Sequence, residues 1–204
     1  MKTQGGVIFV QGCDKARVTH GKNSAVYDVG KGITVPLQFG DGTYTVERLK
    51  RVAQNKYSVV KKDVVNASGT DSYLTAPNVY VPANNGSWDF SMTEWGAKSV
   101  KDAYIGVTTW ARQNLVYDWI KAATVPKKGV APDPEGCWET KRGICQDIAS
   151  LVTGMLRAAG VPARMVIGLA NGRSHAWVEA MVDGKWRRYD HSGTAKSYQR
   201  QRWY

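Results

Sequence analysis

Apolar residues recur every three or four positions between residues 145 and 159, which is the spacing of one face of an α-helix. Gly143 precedes this segment, and Gly160 followed by Pro162 is a usual signal for the end of a helix. The pattern therefore predicts a helix that carries Cys145 in its first turn and on its buried face. The unpaired backbone amides at a helix N-terminus favour a negative group, which makes this a suitable place for a thiolate.

Two short segments after this helix have the pattern of β-strands joined by a tight turn. Residues 175–182 alternate His, Trp, Glu and Met with Ala and Val, which is the period of a strand. The Asp-Gly pair at 183–184 is a strong signal for a two-residue hairpin. A turn at that pair sets Trp177 opposite Asp190, and His175, on the same face as Trp177, becomes a diagonal neighbour of Asp190. The register alone thus predicts a carboxylate beside an imidazole.

The first 75 residues have the pattern of an antiparallel β meander. Glycines and turn residues bound the predicted strands, which cover residues 7–10, 25–28, 33–39, 43–53 and 57–66. We predict hairpin turns at 40–42 and 54–55, and a linker over 67–90, where Ala, Asn, Ser, Gly and Pro accumulate. The predicted organisation is a β-rich region over 1–80 followed by a second region over 81–204. A scaffold is the favoured role for the first region, ahead of a carbohydrate- or protein-binding surface.

The segments that flank the Cys145 helix are less regular. A helical pattern runs from residue 100 to Tyr117, and residues 122–141 hold three prolines and two glycines, which predicts a long loop. A loop directly before Cys145 is a natural wall for a cleft, and Trp138 either covers that cleft or anchors the loop. The basic and aromatic residues after Asp190 predict a tail that docks onto the body of the protein.

Four sequence motifs follow one another in a fixed order in the second half of the chain. They are Gly-Ile-Cys-x-Asp-x-Ala at 143–149, Met-Leu-Arg-x-x-Gly-Val-Pro-Ala-Arg at 155–164, His-Ala-Trp at 175–177, and Asp190 at the close of the next strand. This order resembles the transglutaminase-like superfamily of papain-type thiol enzymes. The resemblance implies an α+β fold in which helices pack on an antiparallel sheet, preceded here by an antiparallel β-rich N-terminal layer. The chain departs from the family pattern after Asp190, where His-Ser stands in place of the common Pro-Thr.

The resemblance also implies a role for each candidate residue. Cys145 is the nucleophile, His175 the general base, Asp190 the partner that orients the imidazole, and Tyr117 a donor that stabilises the transition state. The implied reaction is acyl transfer or hydrolysis at an amide through a thioester, and its substrate is a protein or peptide that offers a glutamine amide or a peptide bond. An amine acceptor makes the enzyme a transglutaminase and water makes it a peptidase or amidase; the sequence leaves both open. The alternative is a binding module at the cell surface that retains the fold without catalysis.

Composition limits the other classes of function. The 204 residues are 43% apolar and 22% charged, as in ordinary globular proteins, and no apolar run is long enough for a transmembrane helix. The net charge of +11 suits an anionic cell-wall surface as a further partner. The basic residues are spread along the chain, so a solvated surface is the simpler explanation and we do not predict a nucleic-acid partner.

The three cysteines exclude a closed disulfide framework, because their number is odd. Cys13 and Cys137 could pair in an oxidising compartment, which would leave Cys145 free. Seven residues separate Cys137 from Cys145, which is not the spacing of a zinc site, so we predict neither a metal nor a cofactor. The N-terminus lacks the apolar run of a signal peptide, yet similar bacterial proteins are often exported. An extracytoplasmic or cell-surface location is therefore favoured, with the cytoplasm as the alternative.

Overall fold

The computed structural model describes residues 6–69, 74, 77–78, 80–82, 97–125, 130–193 and 195–204. The chain divides into two compact units, Met1–Val79 and Tyr80–Tyr204. Each unit contains a four-stranded antiparallel sheet, and the described helices all belong to the second unit. The α+β fold class predicted from the sequence is confirmed. Most of the predicted linker, from residue 70 to 73, at 75–76 and 79, and from 83 to 90, lies outside the described residues.

The first unit is built from β-strands alone in its described part. These strands are β1 (Val7–Val10), β2 (Lys15–His20), β3 (Asn23–Asp28), β4 (Ile33–Pro36), β5 (Gly42–Ala53) and β6 (Lys56–Ala67). Four of them form a sheet in the order β3-β2-β5-β6, while β1 pairs with β4. The inward-facing residues of the sheet, such as Val18, Tyr44 and Val46, are fully buried.

The predicted meander is wrong in its connections. The hairpin expected at 40–42 does not form, because β4 pairs with β1 while β5 pairs with β2 and β6. The sequence analysis missed β2, whose buried Ala16 and Val18 alternate with charged residues. Because β2 was not predicted, β5 was assigned to pair with β4, the predicted strand that precedes it in the sequence. The hairpin at 54–55 is confirmed, and Asn55 takes the left-handed conformation with a φ of 59°.

The second unit packs helices against an antiparallel sheet. Its elements are α1 (Val100–Asn114), β7 (Val116–Tyr117), α2 (Trp119–Thr124), α3 (Pro134–Thr140), β8 (Arg142–Gly143), α4 (Cys145–Ala158), β9 (Ala163–Ala170), β10 (Arg173–Val182), β11 (Lys185–Tyr189) and β12 (Tyr198–Trp203). The sheet has the order β11-β10-β9-β12, and α4 packs on β9 and β10 and touches α1 and α3. None of the helices in the described part of the chain combines the length and the apolar character needed to cross a lipid bilayer.

Helix α4 lies in the middle of this unit, as its apolar periodicity predicts. Leu151, Val152 and Leu156 have no solvent exposure. The helix ends where expected: Gly160 adopts a φ of 74°, and the Val161 amide donates to the Leu156 carbonyl at 2.8 Å. Burial of the apolar stripe fixes the rotation of the helix, and with it the position of the residue at its first turn.

The hairpin of β10 and β11 has the predicted register. Val182 pairs with Lys185 and Val178 with Tyr189, so the two-residue turn falls on Asp183 and Gly184. Both turn residues have positive φ, at 52° and 71°, which is the requirement of a tight primed turn. The side chains of β10 are thereby fixed relative to the end of β11.

Two expectations for this unit are corrected by the structure. The helix predicted to reach Tyr117 ends at Asn114, and Tyr117 belongs to the short strand β7, which runs parallel to β8. The predicted loop over 122–141 contains the end of α2 and the whole of α3, and its residues 126–129 lie outside the described part. Pro134 opens α3 directly after the cap Asp133, a position where proline favours a helix.

The tail after Asp190 docks onto the body of the protein, as predicted, and it does so through the edge strand β12, which pairs with β9. Tyr198 pairs with Ala170 and Arg200 with Gly168. A Cβ atom at Gly168 would lie 2.1 Å from the Gln199 carbonyl oxygen and 2.8 Å from the Trp177 ring. Glycine is therefore needed at residue 168 for β12 to pair with β9.

Candidate active site

Cys145 is the first residue of α4, and the approach of the chain to this helix is tightly confined. A Cβ atom at Gly143 would lie 2.8 Å from the Cys137 sulfur and 2.9 Å from the Asp147 Cβ. Only glycine fits there without displacing the first turn of α4. All three cysteines are free thiols, and Cys145 is partly exposed whereas Cys13 and Cys137 are buried. The Cys145 side chain therefore lies at the rim of the buried face rather than inside it.

Asp147 holds the first turn of α4 in place. Its carboxylate is fully buried and accepts from the Ile144 amide at 3.0 Å and from the Asp133 amide at 2.9 Å. Lys121, from α2, is the third partner of this carboxylate, and its Nζ atom lies 2.7 Å from Oδ2. In the structure, the Asp147 carboxylate joins the segments that carry α2 and α3 to the start of α4.

His175 and Asp190 are in direct contact. The His175 Nε2 atom lies 2.9 Å from Asp190 Oδ2, and the two side chains are only 14% and 5% exposed. His175 also interacts with Cys145, and the two side chains line the same cleft. The structure therefore brings three of the sequence-predicted residues together.

The electrostatics of this cluster favour a charged imidazole. Burial lowers the pKa of His175, but hydrogen bonds to Asp190 and Cys145, and the negative charge of both, outweigh it and raise the pKa to about 9. Burial raises the pKa of Asp190, but hydrogen bonds from His175, Tyr198 and Ser192 outweigh it and hold that pKa well below its usual range. At neutral pH the pair is therefore an imidazolium beside a carboxylate.

Asp190 has two further partners that sequence analysis did not identify as site residues. The Tyr198 hydroxyl donates to Oδ2 at 2.7 Å, the atom that also contacts His175. The Ser192 amide and hydroxyl both donate to Oδ1, at 3.0 and 2.8 Å, and the same hydroxyl lies 3.3 Å from His175 Nε2. These donors fix the orientation of the carboxylate. Recognising Tyr198 would have required recognising β12 as a strand, because it reaches Asp190 only through that pairing.

Tyr117 lies next to Cys145 as well. In the β7–β8 pair it stands opposite Gly143, and its phenol interacts with Cys145 in the cleft that both residues line. Burial raises the pKa of Tyr117 to about 12, and the negative charge of Cys145 adds to the rise. The phenol therefore keeps its proton at neutral pH and can donate a hydrogen bond.

These residues line a cleft of about 240 Å³, a volume that includes space open to solvent. Its walls include the four predicted residues together with Ala149, Trp177, Tyr189, His191 and Ser192. Trp138 is not part of this lining. Its ring stacks on Trp110 at a centroid distance of 5.2 Å, and Lys141 Nζ lies 3.3 Å from its ring centroid, so its contacts are those of an anchoring residue.

A family model for the transglutaminase-like superfamily matches residues 87–191, which is more than half of the chain. The protein belongs to the transglutaminase-like superfamily. The matched region contains all four residues that the sequence singled out for the site. Ser192 and Tyr198, the two added partners of Asp190, lie beyond its end.

One curated protein and several solved structures are similar to this superfamily member over part or most of its length. It is 31% identical over 127 residues to the uncharacterised protein ML0607 of Mycobacterium leprae (strain TN), a match that covers 54% of this chain and 42% of that protein. A solved structure named as a candidate cysteine protease from Cytophaga hutchinsonii is 14% identical, covers 95% of this chain and 78% of its own, and gives a TM-score of 0.53. A solved TGase is 21% identical over 54% of this chain and 31% of its own, with a TM-score of 0.43. The chain thus spans less than half of the curated relative and of the TGase, and the Cytophaga structure supports the fold.

Within the described part of this superfamily member, no group of three or more His, Cys, Asp or Glu side chains is arranged to hold a metal ion. The groups available in the cleft are a thiol, an imidazole, a carboxylate and a phenol. Such a set can form and break bonds at a carbonyl carbon by covalent and acid–base catalysis.

Proposed function

We propose that this protein catalyses acyl transfer or hydrolysis at an amide through a thioester on Cys145. In this proposal His175 is the acid and base, Asp190 orients it, residues 81–204 form the catalytic core and residues 1–80 the β-rich region before it. The observation that carries the proposal is the His175 ring, which lines the same cleft as the Cys145 thiol and is held by Asp190 at 2.9 Å. A thiol beside an oriented imidazole is the arrangement that nucleophilic thiol catalysis requires.

The first half of the reaction forms the thioester. A cationic His175 favours the thiolate of Cys145, which attacks the amide carbonyl carbon and forms a carbon–sulfur bond. The tetrahedral intermediate then breaks its carbon–nitrogen bond, and His175 gives its proton to the departing nitrogen. Asp190 retains its negative charge throughout, because three other residues donate hydrogen bonds to it or pair with it.

The negative oxygen of the intermediate needs hydrogen-bond donors, and two are close to the thiol. One is the backbone amide of Cys145 and the other is the Tyr117 phenol, which stays protonated and lies beside Cys145 in the cleft. We infer that both donate hydrogen bonds to the substrate oxygen as the intermediate forms.

The second half of the reaction releases the acyl group. An amine or a water molecule attacks the thioester, neutral His175 takes its proton, and the carbon–sulfur bond breaks to regenerate Cys145. A primary amine gives crosslinking, and water gives deamidation or cleavage. The substrate in either case is a protein or peptide, and the net charge of +11 favours targets on anionic surfaces such as a cell wall.

The test is incubation of the protein with glutamine-containing peptides, with and without a primary amine, followed by mass spectrometry. Crosslinked, deamidated and cleaved products differ in mass, so one experiment separates the three outcomes. Cys145→Ser is expected to abolish the product, whereas Cys13→Ser, the same change at a buried thiol of the other unit, is expected to retain it.

The absence of product is informative when combined with thiol labelling. We expect iodoacetamide to alkylate Cys145 rapidly at pH 7 and about tenfold or more slowly in His175→Ala, because the imidazolium is lost. No product, together with equal labelling rates in both proteins, would contradict the enzyme and leave a binding module with the superfamily fold.

A further inference from the structure

The short helix α2 exposes its apolar side chains instead of burying them. None of its residues is buried, and Trp119 and Ile120 are 75% and 74% exposed. These are the highest exposures among the large apolar residues of the described chain. Large apolar side chains that face water without a partner lower the solubility of a protein, and a patch of them can mark a binding site.

The position of α2 is fixed relative to the nucleophile. The Asp118 side chain caps the helix at the Lys121 amide, 2.9 Å away, and the Asp118 amide donates to the Gly143 carbonyl at 2.9 Å. Lys121 reaches the buried Asp147 in the first turn of α4 at 2.7 Å. The same segments that position Cys145 therefore also position Trp119 and Ile120.

The apolar surface of α2 is continuous with the cleft. The Trp119 ring packs against the Tyr117 ring at a centroid distance of 4.5 Å, and Tyr117 lines the cleft and contacts Cys145. An aromatic surface thus runs from the exposed helix to the thiol. A substrate that reaches Cys145 on this side has Trp119 beside it.

The described charges on α2 and at its cap are compensated. Lys121 is the one charged residue of α2 and is paired with Asp147, and the cap Asp118 lies 3.7 Å from Arg142 Nε. The surface therefore offers apolar contact without a free charge on the helix. It suits an apolar substrate side chain better than a charged or hydrogen-bonding one.

We propose that Trp119 and Ile120 form a substrate subsite, the Trp119–Ile120 patch, that selects polypeptide substrates with a bulky apolar side chain next to the reacting residue. This inference rests on the proposed function, because it assumes that Cys145 is the reacting thiol. The patch binds the flanking side chain while the amide enters the cleft past Tyr117. Selectivity then comes from burying apolar surface on both partners.

The experiment uses two peptides that report on Cys145 directly. Each carries a chloroacetamide on the side chain of a central diaminobutyrate, flanked on both sides by phenylalanine in one peptide and by serine in the other. The thiolate of Cys145 attacks the chloroacetyl methylene, a carbon–sulfur bond forms and chloride leaves. The measured quantity is the ratio of the second-order alkylation rates of the two peptides, which cancels any change in the reactivity of Cys145 itself.

We expect the phenylalanine peptide to react about tenfold faster than the serine peptide with the unmodified protein. In Ile120→Ser and in Trp119→Ala this ratio is expected to fall to about threefold or less. Ile105→Ser makes the same change at an exposed isoleucine on α1 and is expected to keep the full ratio. Because Ile120→Ser leaves the contact of Trp119 with Tyr117 in place, it separates the subsite from an effect on the cleft.

The possible results are distinguishable. A ratio near one in the unmodified protein, with rapid iodoacetamide labelling of Cys145, would overturn the subsite and leave the proposed function intact. A preference for phenylalanine that persists in both patch variants would also overturn it, because the selectivity would then come from another part of the protein. Slow, His175-independent labelling of Cys145 would instead refute the proposed function.

Discussion

Replacing Asp190 by asparagine is expected to lower the pKa of His175 from about 9 to about 7 or below. Asp190 is the main source of the upward shift, through the hydrogen bond of 2.9 Å at Nε2 and through its negative charge. Asparagine keeps the shape of the side chain but removes the charge. The burial that lowers the pKa of His175 remains, and only the interaction with Cys145 still opposes it.

The same substitution has a defined effect on stability. The pKa of His175 is higher in the folded protein, about 9, than its ordinary value of 6.5, so the interaction stabilises the fold fully below pH 6.5 and is lost as the pH rises through 9. The rise corresponds to about 3 kcal/mol at most. Asp190→Asn is therefore expected to lower the free energy of unfolding by about 2–3 kcal/mol at pH 6 and by much less at pH 10.

Two measurements check this prediction. The NMR signals of the imidazole Cε1–H groups, followed from pH 5 to 10, give the pKa of His175, and His175→Gln identifies its signal among the three histidines. Urea denaturation at pH 6 and pH 10 gives the stability difference. Asp183→Asn, the same change at an exposed turn residue, is the control for both. A His175 midpoint below 7 in the unmodified protein, or one that Asp190→Asn leaves in place, would refute the reasoning.

Three further substitutions probe other contacts of the site. Tyr198→Phe is expected to raise the pKa of His175, opposite to the first prediction, because loss of the phenol leaves more carboxylate charge for the imidazole; the same NMR titration tests the sign. Tyr117→Phe is expected to slow thioester formation about 10²-fold in single-turnover assays, and an unchanged rate would exclude it as an oxyanion donor. Lys121→Met is expected to lower the free energy of unfolding by about 2 kcal/mol in urea, because the buried Asp147 loses its cation; an unchanged midpoint would show that its backbone donors suffice.

The pattern of neighbouring residues predicted those elements that are defined by a single apolar face or by a single tight turn. The apolar stripe of α4 and the Asp183-Gly184 turn each follow from spacing over a few residues, and both are present. Strands β2 and β12 were missed because charged residues occupy their exposed positions, so neither forms a recognisable apolar run. The wrong pairing assigned to β5 followed directly, since the partner of a strand is chosen by contacts that are distant in sequence.

The same physical reason explains why the residues proposed to react were easier to predict than the residues that hold them in place. His175 and Asp190 share one hairpin, whose register follows from its turn, and Cys145 opens the most regular helix, so their relation could be predicted from short-range pattern. Tyr198 and Lys121 each make one isolated contact. Tyr198 belongs to an edge strand and Lys121 to a six-residue helix, and both elements reach the site only through contacts between residues that are distant in sequence. A periodic signal needs several residues that repeat along one element, and a lone donor from a distant segment provides none. Residues that orient a reactive group are therefore harder to find in a sequence than the reactive group itself, even where their hydrogen bonds are as short.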